Sequence, residues 1–229
     1  MSSAPTRQLL LAALAVIPVS AARADIIFDN FGPGDSFGVV GRILEGENVN
    51  MIADVDQAAS FVVGADGYLL TQISLGINVR SSPAIGTGPL DVILAADDGG
   101  LPGLTLQSFT IDVGATGNQV VTAAYPGTLL LEPGTTYWVI ADARDTFDGA
   151  WNYNSIGDMG PTAGRSNLGA WNPHVPGERY AFRVEGRLVD VVVPESEFAL
   201  AGLMLLGAGG FTWMRRKREI AVPSEVQGG

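Results

Sequence analysis

The sequence predicts an all-β body, an antiparallel β-sandwich or jelly roll, with one targeting segment before it and another after it. Three observations carry this. Apolar residues in the body recur with a period of two: Ile73, Leu75, Ile77 and Val79 alternate with Gln72, Ser74, Gly76 and Asn78. Tyr180, Phe182 and Val184 do the same against Ala181, Arg183 and Glu185. Turn dipeptides punctuate the chain at short intervals, and no stretch of the body sustains a helical stripe.

Taken in order, residues 1–24 read as a signal peptide. Arg7 supplies the positive n-region, Leu9 to Val19 the apolar h-region, and Ala22-Arg23-Ala24 an A-x-A cleavage site before Asp25. Such a segment calls for a secretion translocon and a signal peptidase. The body follows over residues 25–188. Asp25–Val55 is its least regular part, with one short turn of helix expected within Asn48–Ala59. Strands are expected at Leu90–Ala95, Leu104–Asp112, Gln119–Ala123 and Thr136–Asp142, the first and last being apolar on both faces and therefore central. Turns are expected at Asp66-Gly67, Asp98-Gly99-Gly100, Pro102-Gly103, Pro126-Gly127, Pro133-Gly134 and Asp148-Gly149.

After a connector over residues 189–197, the chain is uncharged from Phe198 to Met214 and stops at Arg215-Arg216-Lys217-Arg218. A helix over this run spans roughly 26 Å at 1.5 Å per residue, close to the hydrocarbon thickness of a bilayer. Transmembrane helices tolerate its Gly202, Gly207, Gly209 and Gly210. The four cations stop translocation and place residues 215–229 in the cytoplasm.

Composition narrows the function classes. Asp25 to Asp190 holds 20 Asp and Glu against 7 Arg and no Lys, and the whole chain has a net charge of -11. So acidic a body is the wrong partner for nucleic acid, whose phosphates need a basic surface. There is no cysteine, which excludes disulfides, thiolate metal sites and a cysteine nucleophile.

The two ends together resemble bacterial proteins with a PEP-CTERM sorting signal. The matching residues are Val193, Pro194 and Glu195, the Phe198–Met214 run and Arg215–Arg218; the family's second proline is Ser196 here. The resemblance implies recognition by an exosortase, a membrane-embedded transpeptidase-like enzyme. It further implies inner-membrane tethering, release to the cell surface or matrix, and association with exopolysaccharide. An ordinary stop-transfer anchor would carry the same helix and cations. The body resembles the extracellular "choice-of-anchor" β-domains through Gly88-Pro89-Leu90-Asp91-Val92-Ile93-Leu94, Gly99-Gly100-Leu101-Pro102-Gly103 and Leu131-Glu132-Pro133-Gly134-Thr135-Thr136-Tyr137-Trp138-Val139. That resemblance implies a structural or adhesive role.

Three constellations in the body are candidate sites. Trp151, Tyr153 and Trp171 stand among asparagines, and flat rings beside amides suit sugar binding; as a bland alternative they are core. Asp142, Asp145 and Asp148 could offer hard oxygens to calcium from an acidic loop, without EF-hand spacing, and Asp54-x-Asp56 and Asp97-Asp98 offer fewer. Gly34-Asp35-Ser36-Phe37-Gly38 matches the G-x-S-x-G nucleophile elbow, with His174 as the one available base; a glycine-rich loop is the alternative. The expected function is a non-enzymatic exported surface or matrix protein without a cofactor. A carbohydrate- or calcium-binding module and a small serine esterase are the competing readings.

Overall fold

The computed structural model describes residues 24–49, 54–80, 86–175 and 177–189. The signal-peptide core, the Val193–Glu195 motif, the Phe198–Met214 run and the Arg215–Arg218 block all lie outside the described residues.

The strands are β1 (Asp25–Asp29), β2 (Gly41–Glu45), β3 (Val55–Val62), β4 (Tyr68–Val79), β5 (Gly88–Asp97), β6 (Pro102–Val113), β7 (Gly117–Ala124) and β8 (Leu130–Leu131). They continue as β9 (Thr136–Ala143), β10 (Asp148–Asn152), β11 (Met159–Gly160), β12 (Thr162–Ser166), β13 (Asn172–Pro173), β14 (Gly177–Glu178) and β15 (Phe182–Leu188). Thirteen of them form one antiparallel sheet that runs β1-β15-β4-β10-β2-β3-β9-β5-β6, with β7 and β8 also on β4, β12 also on β3 and β13 on β12. No helix occurs among the described residues, and none there is long and apolar enough to cross a membrane.

The sheet turns a corner at β10 and β2. β2 meets β3 only at Glu45↔Val55, while β10 pairs with both β2 and β4. The corner folds the β1-β15-β4 half over the β3-β9-β5 half. Phe61 of β3 then lies 6.2 Å from Phe182 of β15, centroid to centroid, and the Tyr125 hydroxyl after β7 donates to the Val92 carbonyl of β5 at 2.6 Å. Alternate residues of each half fill the space between: Leu70, Ile73, Leu75 and Ile77 from one, and Leu90, Val92, Val139 and Ala141 from the other. This is the period of two seen in the sequence, expressed as burial.

The halves differ on their outer faces. The opposite-facing residues of β3, β9, β5 and β12 make a second apolar cluster of Ala58, Ile93, Ala95, Trp138, Ile140 and Ala163, with Leu101 and Trp171 packed against it. β9 is therefore buried over nearly its whole length, as its two-faced apolar sequence requires.

Three expectations need correction. A helical turn was expected within Asn48–Ala59, of which residues 50–53 lie outside the described residues; Val55–Ala59 are extended in β3, with Phe61 and Ala59 facing one way and Ala58 the other, and only an extended chain reaches both clusters. Pro102-Gly103 begins β6 and does not turn; Asp98-Gly99-Gly100 makes that turn alone, with φ of 63° and 87° at its glycines. Asp148-Gly149 lies inside β10. A Cβ on Gly149 would run into the Asn78 carbonyl oxygen, so this glycine serves close strand approach.

The body's two ends are neighbours. β1 pairs with β15, placing Asp25 opposite Gly186, and β15 pairs with β4 on its other side.

Glycines at two positions should respond oppositely to a methyl group. Gly149→Ala must displace backbone and should destabilise the protein by ~1–3 kcal/mol. Gly64 has open space around it, and Gly64→Ala should be neutral or stabilise by ~0.4–1 kcal/mol. Denaturant melts of the two variants check this; equal effects would show that packing at Gly149 is not tight.

Candidate functional site

Both faces of the β3-β9-β5 half are covered, so polar side chains there need partners. A row of them crosses the outer face. Arg165 of β12 stands opposite Asp56 of β3, Asp142 of β9 opposite Asp91 of β5, and Asp91 opposite Thr110 of β6. Asp56 and Asp142 meet one step beyond the Gln57↔Ala141 pair. Alternation puts this row on the same side as Ala58, Ile140 and Ile93.

Most of the row is neutralised. Arg165 Nε donates to Asp56 Oδ2 at 2.6 Å, and Arg144 Nη2 reaches Asp91 Oδ2 at 2.9 Å. Thr110 donates its hydroxyl to the other Asp91 oxygen. Three carboxylates are left incompletely partnered: Asp54, Asp56 and Asp142 bring one oxygen each to within 4.8 Å of one another. Asp56 is 1% exposed and Asp142 3%. The Oδ1 atom of each of the three is buried without a hydrogen-bond partner among the described residues; Arg144 Nε is 3.5 Å from Asp142 Oδ1, out of hydrogen-bond geometry. Asp54 is fixed from the side, its backbone N–H donating to Asn167 Oδ1 at 3.2 Å and its carbonyl accepting from the Asn167 N–H at 2.8 Å.

Burial raises the pKa of all three acids, and mutual repulsion adds to it. Asp142 is pushed up to about 7, first by burial and then by Asp56. Asp56 is raised by burial and by Asp54, against the pull of Arg165. Asp54 is raised by burial, then by Asp142 and Glu47.

The other acids of the expected calcium loop go elsewhere. Asp148 pairs with Arg80 at 2.8 Å. Asp145 sits in a turn with φ of 50°, its N–H donating to Glu47 Oε2 at 3.1 Å. Asp142 thus converges with Asp54 and Asp56 across the sheet, and not with its neighbours in sequence. A sequence signal for this existed: period two puts Asp142 on the face of Ile140 and Trp138, where an acid demands a partner.

The three aromatics do not form a strip. Trp151 is fully buried in the inner core, stacked on Tyr180 at 4.8 Å, with its indole N–H donated to the Ala181 carbonyl at 2.9 Å. Tyr153 is half-buried, stacks on Tyr180 at 5.5 Å and accepts from Arg42 Nε at 3.1 Å. Trp171 packs on the outer cluster and carries the Arg165 guanidinium over its ring at 4.6 Å. Trp151 therefore serves the inner core, while Tyr153 and Trp171, both half-buried, belong to separate packing groups and do not line up with it.

Ser36 and His174 are also apart in their bonding. Ser36 closes a tight turn against Gly32, with φ of 66° at Gly34 and 58° at Asp35, and its Oγ lies 3.4 Å from Ser155 Oγ. No helix follows, so the glycine-rich motif is a loop and not an elbow. His174 Nδ1 is 3.0 Å from the Tyr180 hydroxyl, which donates to Gln57 Oε1 at 2.9 Å. That chain puts the proton on Nδ1 and leaves Nε2 facing Gly164, beside a groove of about 380 Å³ lined by Gln57, Arg165, Ser166, Asn172 and His174. Burial, then Arg42, lowers the His174 pKa.

Comparison with protein-family models gives no match for this chain, and no curated protein matches it either.

Asp142 fixes a sign for pH dependence. Between its ordinary value of 3.8 and about 7, the folded protein keeps a proton that the unfolded chain has lost. Its contribution to stability is present at the low end of that window and is lost as pH rises through it. His174 acts with the opposite sign, because its folded pKa is lowered. The diagnostic quantity is therefore the difference between parent and Asp142→Asn in metal-free thermal melts. The parent should lose stability relative to the variant as pH rises from about 4 to about 7; a constant difference would mean Asp142 ionises normally.

Proposed function

We propose that the chain is an exported, C-terminally sorted surface or matrix protein whose β body acts without catalysis, in association with exopolysaccharide. One observation carries the reading: the ordered body is bracketed by the two targeting segments. β1 begins at Asp25, the residue after Ala22-Arg23-Ala24, and β15 ends at Leu188, shortly before Val193-Pro194-Glu195. The described strands of the body pair among themselves between the two segments, and each segment would serve as an address that processing enzymes read and remove. A signal peptidase would act at the first, and an exosortase-like enzyme near the second. The acidic surface supports the reading as well, since a body with 20 acids and 7 arginines stays soluble and unaggregated outside the cell. We read the curled sheet as a sandwich of the jelly-roll kind, the shape shared by many adhesive domains.

A binding-module role is the second reading, favoured by the Arg165–His174 groove beside Trp171. In that case polar groups, and not an aromatic strip, would make the contacts.

Intact mass of the protein recovered from cells tests the first reading. The expected species begins at Asp25 and lacks Phe198–Gly229. A mature species that keeps Phe198–Gly229 would establish a plain stop-transfer anchor, and one that keeps Met1–Ala24 would overturn export by signal peptidase.

A further inference from the structure

The trio Asp54, Asp56 and Asp142 has an unsolved problem of charge and of hydrogen bonding. Two of the three side chains are more than nine-tenths buried, and each of the three has a buried Oδ1 atom without a hydrogen-bond partner among the described residues. A buried carboxylate oxygen without a partner is costly, and ordinary folded proteins leave few such atoms unsatisfied. Arg165 does not solve it, because its Nε is spent on Asp56 Oδ2 and its Nη2 remains 3.9 Å from Asp142. Arg144 does not solve it either, being committed to Asp91.

We propose that Asp54, Asp56 and Asp142 bind one divalent cation of the calcium type between strands β3 and β9. The chemistry of the donors fits: three hard oxygens, no nitrogen or sulfur, which selects calcium, magnesium or manganese over zinc or copper. Coordination preference narrows the choice. Calcium–oxygen distances of about 2.3–2.6 Å put oxygens on opposite sides of the ion about 4.6–5.2 Å apart and adjacent ones closer. Oxygens all within 4.8 Å of one another are close enough to share one such ion. Magnesium demands shorter bonds and a near-ideal octahedron, whereas calcium accepts the irregular geometry of two acids on paired strands and a third just before β3. Asp54 is the least buried of the three, and water would complete the shell. The ion would supply partners for the orphaned oxygens and cancel the repulsion among the acids. Nearby Arg165 and Arg144 weaken the field, so binding belongs in the range of extracellular modules, Kd of about 10⁻⁴–10⁻³ M. The site lies wholly in the body and does not depend on how the ends are processed.

The test uses the full chain in detergent, stripped with a chelator, at a pH of about 7.5 where the acids are ionised. Calcium chloride at about 10 mM should raise Tm by roughly 3–10 °C, and calorimetric titration should give one site per chain. Magnesium, and sodium at matched ionic strength, should give a much smaller rise. Asp54→Asn, at the less buried position, should fold and lose at least about ten-fold in calcium affinity; Asp142→Asn should lose it entirely. Asp66→Asn, in an exposed turn, should leave the response unchanged. An equal rise with all three salts, or an unaltered calcium response in a folded Asp54→Asn, would overturn the site. So would a Tm that ignores calcium and follows pH alone, since the trio would then be held together by a shared proton.

Discussion

Strands β3, β9 and β5 lie side by side with both faces covered, so each of their side chains must be apolar or partnered. With no cysteine in the chain, nothing covalent relieves that demand. The inner face meets it with aliphatic and aromatic packing. The outer face is mixed. Trp138 donates its indole N–H to Asp97 Oδ1 at 2.7 Å, Asp91 takes Thr110 and Arg144, and Asp56 takes Arg165. The Trp138–Asp97 bond ties two strands of the trio together, and the pairings of Asp91 and Asp56 join the trio to a neighbouring strand or loop, so the polar demand of the centre organises the periphery. Arg165 does this twice, holding Asp56 in the sheet while it covers Trp171 in the loop beyond β12.

Much of the fold was legible because burial and pleat share a period of two. β5, β6, β7 and β9 lie where alternation put them, and the two strands apolar on both faces are interior. What misled was glycine. The same dipeptide, Asp-Gly, turns at residues 98–99 and runs straight through β10 at residues 148–149. The distinction rests on the Asn78 carbonyl, which arrives from a distant part of the chain.

The site was less legible for a related reason. Trp151 and Tyr153 do share a side, as alternation requires, but alternation does not say whether that side is inward; the stack on Tyr180 decides it. The acidic trio needed the β3–β9 pairing, which joins residues 54–56 to residue 142. Grouping acids by proximity in sequence chose Asp145 and Asp148 as companions for Asp142, and these went to a turn and to Arg80. Asp142 was marked all the same, by being charged in the middle of an apolar, two-faced strand.

The pairing of β15 between β1 and β4 has a mechanical consequence. The chain leaves the body from the end of β15, a strand with a hydrogen-bonded neighbour on each side. Tension applied there along the strand loads both ladders together, many bonds sharing the force in parallel. A terminal strand on the rim, held along one edge, could peel away one bond at a time. Among the described strands, the N-terminal rim strand β1 occupies that weaker position. Under the C-terminal tethering proposed above, the load would fall on the end of the body that two ladders hold.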